Sequence, residues 1–600
     1  MKHKSLLKAG LVLAMVLAYL PFAHPAQAAL LVVTNTDDSG SGSLRMAIIY
    51  ANMYTGSDTI AFDIPTSDSG CNAGTGVCTI LPGSALPALS GSEITIDGYT
   101  QDGAAQATDS GPAVLKIVID GSNAGTEASG LTVTSANNTI RGLVINNFDY
   151  YGIHIDGSGA TGNTVSGNYI GTDVNATTKL GNGWRGVHVS DGAQNNTIGG
   201  DSAGERNVIS GNGWSGISIW GSDGNILSGN YIGTNASGTT RLGNDGEGVY
   251  IADGAQNNTV GGDTEGERNL ISGNDGYGVW ILDSGTMSNT ISGNYIGTDI
   301  SGTAVLSNTS GVRIDNSAYN TIGGGTAGER NLISGNDGHG IYISGGDATG
   351  NVILGNTIGL AVNGTDPLGN GGSGVYLYLD SQNTTIGGGT AGERNVISNN
   401  GEAGITIFGS NSNTVSGNYI GTDASGTLDR GNTYYGVWIR SGAQSNTVGP
   451  GNVIAHNDDD GVNVNWSDTT GNAITQNSIF SNMMGINLKS GANGNIAAPL
   501  IITTTQGSVN IVGTACANCT VEVFENSDTD GEGETYVGDT VADGSGNFTV
   551  TVSSLTQSYL TATATDEDDG TSEFSDVFEA TVELVPNSGP VYLPIVVKNN

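Results

Sequence analysis

The hexapeptide Gly229-Asn230-Tyr231-Ile232-Gly233-Thr234 recurs through the chain: its asparagine returns at Asn168, Asn294 and Asn418, with a variant at Asn356. Neighbouring copies are 62 to 64 residues apart, and Gly-Glu-Arg-Asn returns in step at Arg206, Arg268, Arg330 and Arg394. A fixed period of this kind marks a solenoid, in which a unit too small to bury its own apolar face stacks on copies of itself. Two units fill each period. Aligned on the leading position they begin at Asn138, Asn163, Asn196, Asn225, Asn258, Asn289, Asn320, Asn351, Thr384, Asn413, Asn446 and Asn472, which makes twelve coils. The first is 25 residues long, and many later ones reach 29 to 33 through an inserted loop.

Each coil carries the same strand chemistry: Gly248-Val249-Tyr250-Ile251, Gly278-Val279-Trp280-Ile281 and Gly340-Ile341-Tyr342-Ile343 alternate with period two. Stacking sends Val249, Ile251, Val279, Ile281, Ile341, Ile343, Val437 and Ile439 inward and their neighbours to solvent. Asparagine at each turn suits a left-handed backbone, and amides one strand spacing apart can bond in a ladder. Twelve coils at about 4.8 Å give a rod on the order of 60 Å long. The predicted fold class is all-β, a right-handed parallel β-helix over 136–498.

The flanks read differently. Lys2, Lys4 and Lys8, the apolar run Leu11 to Leu20 and Ala26-Gln27-Ala28 form a signal peptide over 1–28, cleaved after Ala28. The mature chain is therefore expected to be extracellular or at the cell surface, with no transmembrane segment after signal removal. Residues 29–135 are expected to hold a cap and irregular first coils. Leu44, Ala47, Ile48 and Ala51 lie on one face of a short cap helix, and Ile94-Thr95-Ile96 and Leu115 to Ile119 read as strands. After 498 the asparagine pattern stops, and 499–582, rich in Val, Thr and Tyr, reads as an antiparallel sandwich. Residues 583–600 are a linker and tail, with Val591 to Val597 as a docked strand. Cys71 with Cys78, and Cys516 with Cys519, are expected to form two local disulfides.

Composition fits a repetitive exported protein: 98 glycines, 12 prolines, 12% charged residues and a net charge of -39. That charge makes nucleic acid a poor partner.

The coils from about 136 to 498 resemble the pectate-lyase-like right-handed parallel β-helix superfamily, in particular the carbohydrate-binding and sugar-hydrolysis repeats of bacterial surface proteins. Residues 32 to 52, with Ser43-Leu44-Arg45-Met46-Ala47-Ile48, look like the CSLREA-type segment that precedes such repeats, with Gly42 and Met46 in place of its Cys and Glu. Gly513 to Ser575, with Thr520-Val521-Glu522-Val523-Phe524, is similar to bacterial Ig-like surface modules. The resemblance implies fold and compartment, and an extracellular polysaccharide or cell-surface component as partner.

Chemistry is expected on the outward column of the Gly-[VI]-x-[IV] strand. Tyr250, Trp280, Tyr342, Tyr376 and Trp438 occupy it, and Trp220 and Tyr378 lie two positions on. In register they form a flat aromatic strip matched to the apolar faces of sugars; the alternative is that the rings only stabilise neighbouring coils. Two polar clusters interrupt the repetition and are candidates for catalysis: His154, Asp156 and His188 with Arg185 beside them, and Arg313 and Asp315 near His339. Neither completes the base and carboxylates of a lyase or the paired carboxylates of a hydrolase. Glu205-Arg206 and its copies read as loop salt bridges or hydrogen-bond clips. Asp528, Asp530, Glu532 and Asp539 imitate part of an EF-hand loop and are the candidate ligands for structural Ca²⁺, while the binding reading itself requires no cofactor. The sequence thus favours a non-catalytic binding protein, with a polysaccharide lyase or glycoside hydrolase as alternative and a purely structural rod as the third.

Overall fold

The computed structural model describes residues 28–54, 56–505 and 509–580. The expected signal peptide, apart from Ala28, and the expected tail 583–600 lie outside the described residues. From Leu30 to Lys489 the chain winds into a parallel β-helix of three sheets with 15, 14 and 13 strands, and strands within each sheet pair in parallel. The first sheet runs from Leu30–Val33 to Ala473–Ile474, the second from Cys78–Ile80 to Ser478–Phe480, the third from Leu131–Val133 to Ile486–Lys489. One apolar cluster extends from Val33 to Ala492 along the axis, and Val279, Ile341 and Val437 have no exposed surface. Both expected disulfides are present.

Twelve strands of the first sheet fall where the alignment places twelve coils. The other three, Leu30–Val33, Thr59–Phe62 and Thr95–Asp97, extend the sheet upstream in register, with Thr95 opposite Thr139. The helix Leu44–Ala51 is capped by the Ser43 side chain, and its buried residues Leu44, Ala47, Ile48 and Ala51 join the same cluster.

Three buried ladders of asparagine hold the turns. In one, Asn196 Nδ2 donates to Asn225 Oδ1 at 3.0 Å and Asn225 to Asn258 at 3.1 Å; parallel ladders run through Asn207, Asn230 and Asn269 and through Asn212, Asn244 and Asn274. In the first ladder the left-handed backbone expected of the asparagines belongs instead to the residue before each, such as Asn195, Asn257, Ser288 or Gly224. The reason is geometric: the ladder amide must point inward to reach the next coil, so the kink that turns the chain falls one residue earlier.

The inserted loops explain the doubled period. Each closes on itself as a small hairpin, as in the antiparallel bridge between Thr234 and Arg241. Two strands' width is about 9.6 Å, twice the rung spacing, so equivalent loops meet only on every second coil. They do meet: Ile300 N donates to Gly238 O and Val362 N to Gly302 O, both at 3.0 Å.

Beyond the helix, Leu500–Thr505, Val509–Thr514 and Asn547–Val552 form one antiparallel sheet, and Thr520–Asn526, Thr535–Val541, Tyr559–Thr565 and Phe578–Glu579 another, around their own apolar cluster. Side chains and backbone of this unit meet the open strand edge of the last coil. Ile474 N donates to Thr571 Oγ1, Gln476 N to Glu522, Ile479 N to Gly533 O, Asn482 N to Glu532 and Leu488 N to Glu573. An unpaired parallel edge would otherwise offer these donors to another chain.

Candidate functional site

The outer face of the third sheet aligns the predicted outward column rung by rung. His154 pairs with His188, Ser218 with Tyr250, Tyr250 with Trp280, Trp280 with Arg313, Arg313 with Tyr342, Tyr342 with Tyr376, and Thr406 with Trp438. Rings and guanidinium groups make a nearly continuous file. Trp220 is 6.3 Å from Tyr250, and Tyr250 5.2 Å from Trp280. Arg313 bridges Trp280 and Tyr342, Tyr342 stacks on Tyr376 at 5.6 Å with planes 6° apart, and Tyr378 meets Phe408 at 5.1 Å. Arg440 lies over Phe408 and, at 3.5 Å, over Trp438.

The strip is not the flat, free surface expected. Tyr250 is 9% exposed, Ser218 and Thr406 are fully buried, and the other rings are half-buried. A second file, three residues earlier in each coil, leans over the first: Tyr277 on Trp280, His339 on Tyr376, Tyr435 on Trp438. One residue earlier still, a third file stacks through backbone hydrogen bonds from Trp184 through Trp214, Gly246, Gly276, Thr309, Gly338 and Gly372 to Glu402 and Tyr434. Its large residues stand at the two ends. Between them glycine and threonine leave no bulky side chain across the stretch carrying Trp280, Arg313 and Tyr342. Both extra files were present in the sequence at a constant offset from the outward column, but without the turn geometry they read as loop.

The polar candidates are brought together and then tied down. His154 Nε2 is 2.9 Å from Ser190 Oγ and 3.8 Å from Asp156, while Ser190 Oγ donates to Asp156. His188 Nδ1 is 2.7 Å from Ser218 Oγ, and the two imidazoles stack at 5.1 Å. Burial lowers the pKa of His154 and, helped by the Arg185 charge, takes His188 down to about 2, so His188 is neutral at physiological pH. His339 Nδ1 accepts the Ser373 N–H at 3.0 Å, and burial lowers its pKa as well. Asp315 accepts from Arg313 Nε, Trp280 Nε1 at 2.7 Å and Ser344 Oγ. Arg313 also donates to the Tyr277 hydroxyl. With three donors on it, the Asp315 carboxylate orders the side chains around it.

The acidic loop does not gather its carboxylates. Asp528 accepts from Asp530 N, Asp539 from the Tyr536 hydroxyl, and Glu532, 3% exposed, faces Asn482 of the last coil. Among the described residues no group of three or more His, Cys, Asp or Glu side chains is placed to hold a metal. The Glu-Arg pairs also part company. Glu205 accepts from Ser202 N and Oγ within its own loop, as a hydrogen-bond clip, whereas Arg206 turns away to the Tyr231 ring. A concavity of about 770 Å³ lies near the start of the second sheet, lined in part by Val77, Lys116, Tyr169 and Val174. Among the described residues no helix is long and apolar enough to cross a membrane.

A family model described as a right handed beta helix region matches residues 129–318, in agreement with the architecture above. No curated protein matches the chain by sequence. Among solved structures, the A-module of the mannuronan C-5 epimerase AlgE6 of Azotobacter vinelandii is 16% identical, with a TM-score of 0.40 over 76% of this chain and 96% of that one. The Dettilon tailspike protein is 14% identical, with a TM-score of 0.35 over 89% and 80%. The Agl-KA catalytic domain is 14% identical, with a TM-score of 0.30 over 78% and 69%.

Proposed function

We propose that the outer face of the third sheet is a glycan-binding face, and that the chain is a secreted or cell-surface β-helix protein that holds an extracellular polysaccharide without cleaving it. The observation that carries this reading is the file of rings Trp280, Tyr342 and Tyr376, half-buried beside Tyr277 and His339 but with no bulky side chain beyond these where the third file falls to glycine and threonine. Half-buried rings held edge and face by their neighbours are rigid platforms, so a sugar stacking on them costs little ordering entropy. The non-catalytic part is supported by the commitments of His188, His339 and Asp315 to internal partners. In this reading the helix Leu44–Ala51 caps one end of the rod, and the C-terminal sheets are an Ig-like module that closes the other and serves as spacer or anchor.

The test is a polysaccharide panel presented to the mature protein with and without Ca²⁺, following retention and chain length together. Retention of at least one glycan with no shortening and no unsaturated ends is expected. Depolymerisation lost on His154→Ala or Arg313→Ala would make the face that of a lyase or hydrolase.

A further inference from the structure

Arg185 is the largest fully buried side chain among the described residues, and none of its three guanidinium nitrogens has a hydrogen-bond partner there. Its charge is met by three ring faces, Trp184 at 4.9 Å, Trp214 at 5.2 Å and Trp220 at 4.6 Å, three of the chain's six tryptophans, with the Tyr151 hydroxyl also beside it. These neighbours answer the charge, but none of the guanidinium N–H groups makes a well-formed hydrogen bond, and a buried unmet donor is costly. The other arginines are treated differently. Arg313 on the same face has Asp315 and the Tyr277 hydroxyl, while Arg206 and Arg268 stack on tyrosines and are only partly buried. The neighbouring acid, Glu247, is spent on Trp214, whose Nε1 donates to it at 3.0 Å.

The cover over Arg185 is uneven. Trp184 and Trp220 are half-buried, but Trp214 is 38% exposed and rests across Gly246, where a Cβ would come within 2.2 Å of the indole. Glycine there lets the ring lie flat, and the Glu247 carboxylate latches its N–H. We infer that Arg185 is the anchor of an oxyanion subsite on this face, which accepts a carboxylate or sulfate in the guanidinium fork when Trp214 swings away. Planar, paired N–H groups match the two oxygens of such an anion. The inference rests on the glycan-binding reading and deepens it: the polymer held along Trp280 and Tyr342 carries acidic groups, one of which is read at Arg185.

Three probes are titrated against the full mature chain, following tryptophan fluorescence: sodium sulfate, a glucuronic-acid-containing oligosaccharide, and the same oligosaccharide with its carboxyls reduced. A saturable change with the acidic sugar, and binding at least about tenfold weaker for the reduced form, is expected. Arg185→Met and Arg185→Lys should each erase or shrink that ratio, checked on protein whose circular dichroism matches the wild type. Glu247→Gln, which loosens the latch without touching the guanidinium, should speed association. Saturation by sulfate with no preference for the acidic sugar upholds the anchor but assigns it to free oxyanions. Equal binding of both sugars with no sulfate response, measured on the wild type alone, overturns it, as does a preference that survives both substitutions. A neutral glycan retained without acid preference and with no sulfate response sinks this inference and spares the binding face; sulfate binding with no glycan retained does the reverse.

Discussion

The Arg206 guanidinium lies 4.3 Å from the centre of the Tyr231 ring on the following coil, and Arg268 and Arg394 repeat the contact on Tyr295 and Tyr419. At the remaining copy the ring is missing: Thr357 stands opposite Leu332 where Tyr231 stands opposite Val208, so Arg330 lacks the aromatic face, while its Nε is buried without a partner like those of Arg206 and Arg268. Space for a ring exists, because Gly238, Gly302 and Gly426 touch the tyrosines of their repeats while Gly364 has only Ala424 beside it. Thr357→Tyr should therefore stabilise the helix by about 0.5–1 kcal/mol. Denaturant unfolding with an unchanged or lowered midpoint would refute the stacking account.

Thr384 interrupts the first asparagine ladder. Its backbone N–H still donates to Asn413 Oδ1, but its Oγ1 is buried without a partner, and the side-chain bond that Asn320 makes to Asn351 has no equivalent between Asn351 and Thr384, the ladder resuming from Asn413 to Asn446. Thr384→Asn should restore the missing rung and add about 1 kcal/mol, with the converse loss for Asn258→Ala. Thermal melts of the two variants should move in opposite directions. A stabilised Asn258→Ala would contradict the ladder's role.

Glu532 couples the C-terminal sheets to pH. Its carboxylate accepts from Asn482 N and Nδ2, and burial, with a smaller contribution from nearby Asp530, pushes its pKa up to about 7. An acid whose folded pKa lies above its ordinary value favours folding most when protonated. This contribution is full below about 4.5 and is lost as pH rises through 7. It amounts to about 3 kcal/mol at most, for a pKa raised from 4.5 to about 7. Glu532→Gln should remove that part of the pH dependence of C-terminal unfolding between pH 5 and 8. A variant with the wild-type slope would show that Glu532 does not carry it.

How much of this was legible beforehand follows from what repeats. The inward column, the coil count and the outward file could be read because each position recurs at a fixed offset, and alternation alone tells inside from outside. Exposure could not be read. Whether Trp280 faces open water depends on how Tyr277, three residues earlier, crosses the turn, and turn geometry leaves no periodic trace. For the same reason Glu205 and Arg206, adjacent in sequence, looked like partners, yet the loop sends one inward to its own backbone and the other across to the next coil. In the sequence Arg185 stands out only as a neighbour of the histidines. Its burial depends on Trp214, which comes from a different coil.

The claim on which the functional account turns is that Trp280 and Tyr342 touch sugar. Calorimetric titration of the glycan best retained in the panel should show Trp280→Ala with Tyr342→Ala losing about 1–3 kcal/mol of binding free energy. Tyr319→Ala, an exposed ring off this face, should lose none. Wild-type affinity in the double variant, with its fold intact, would contradict the account.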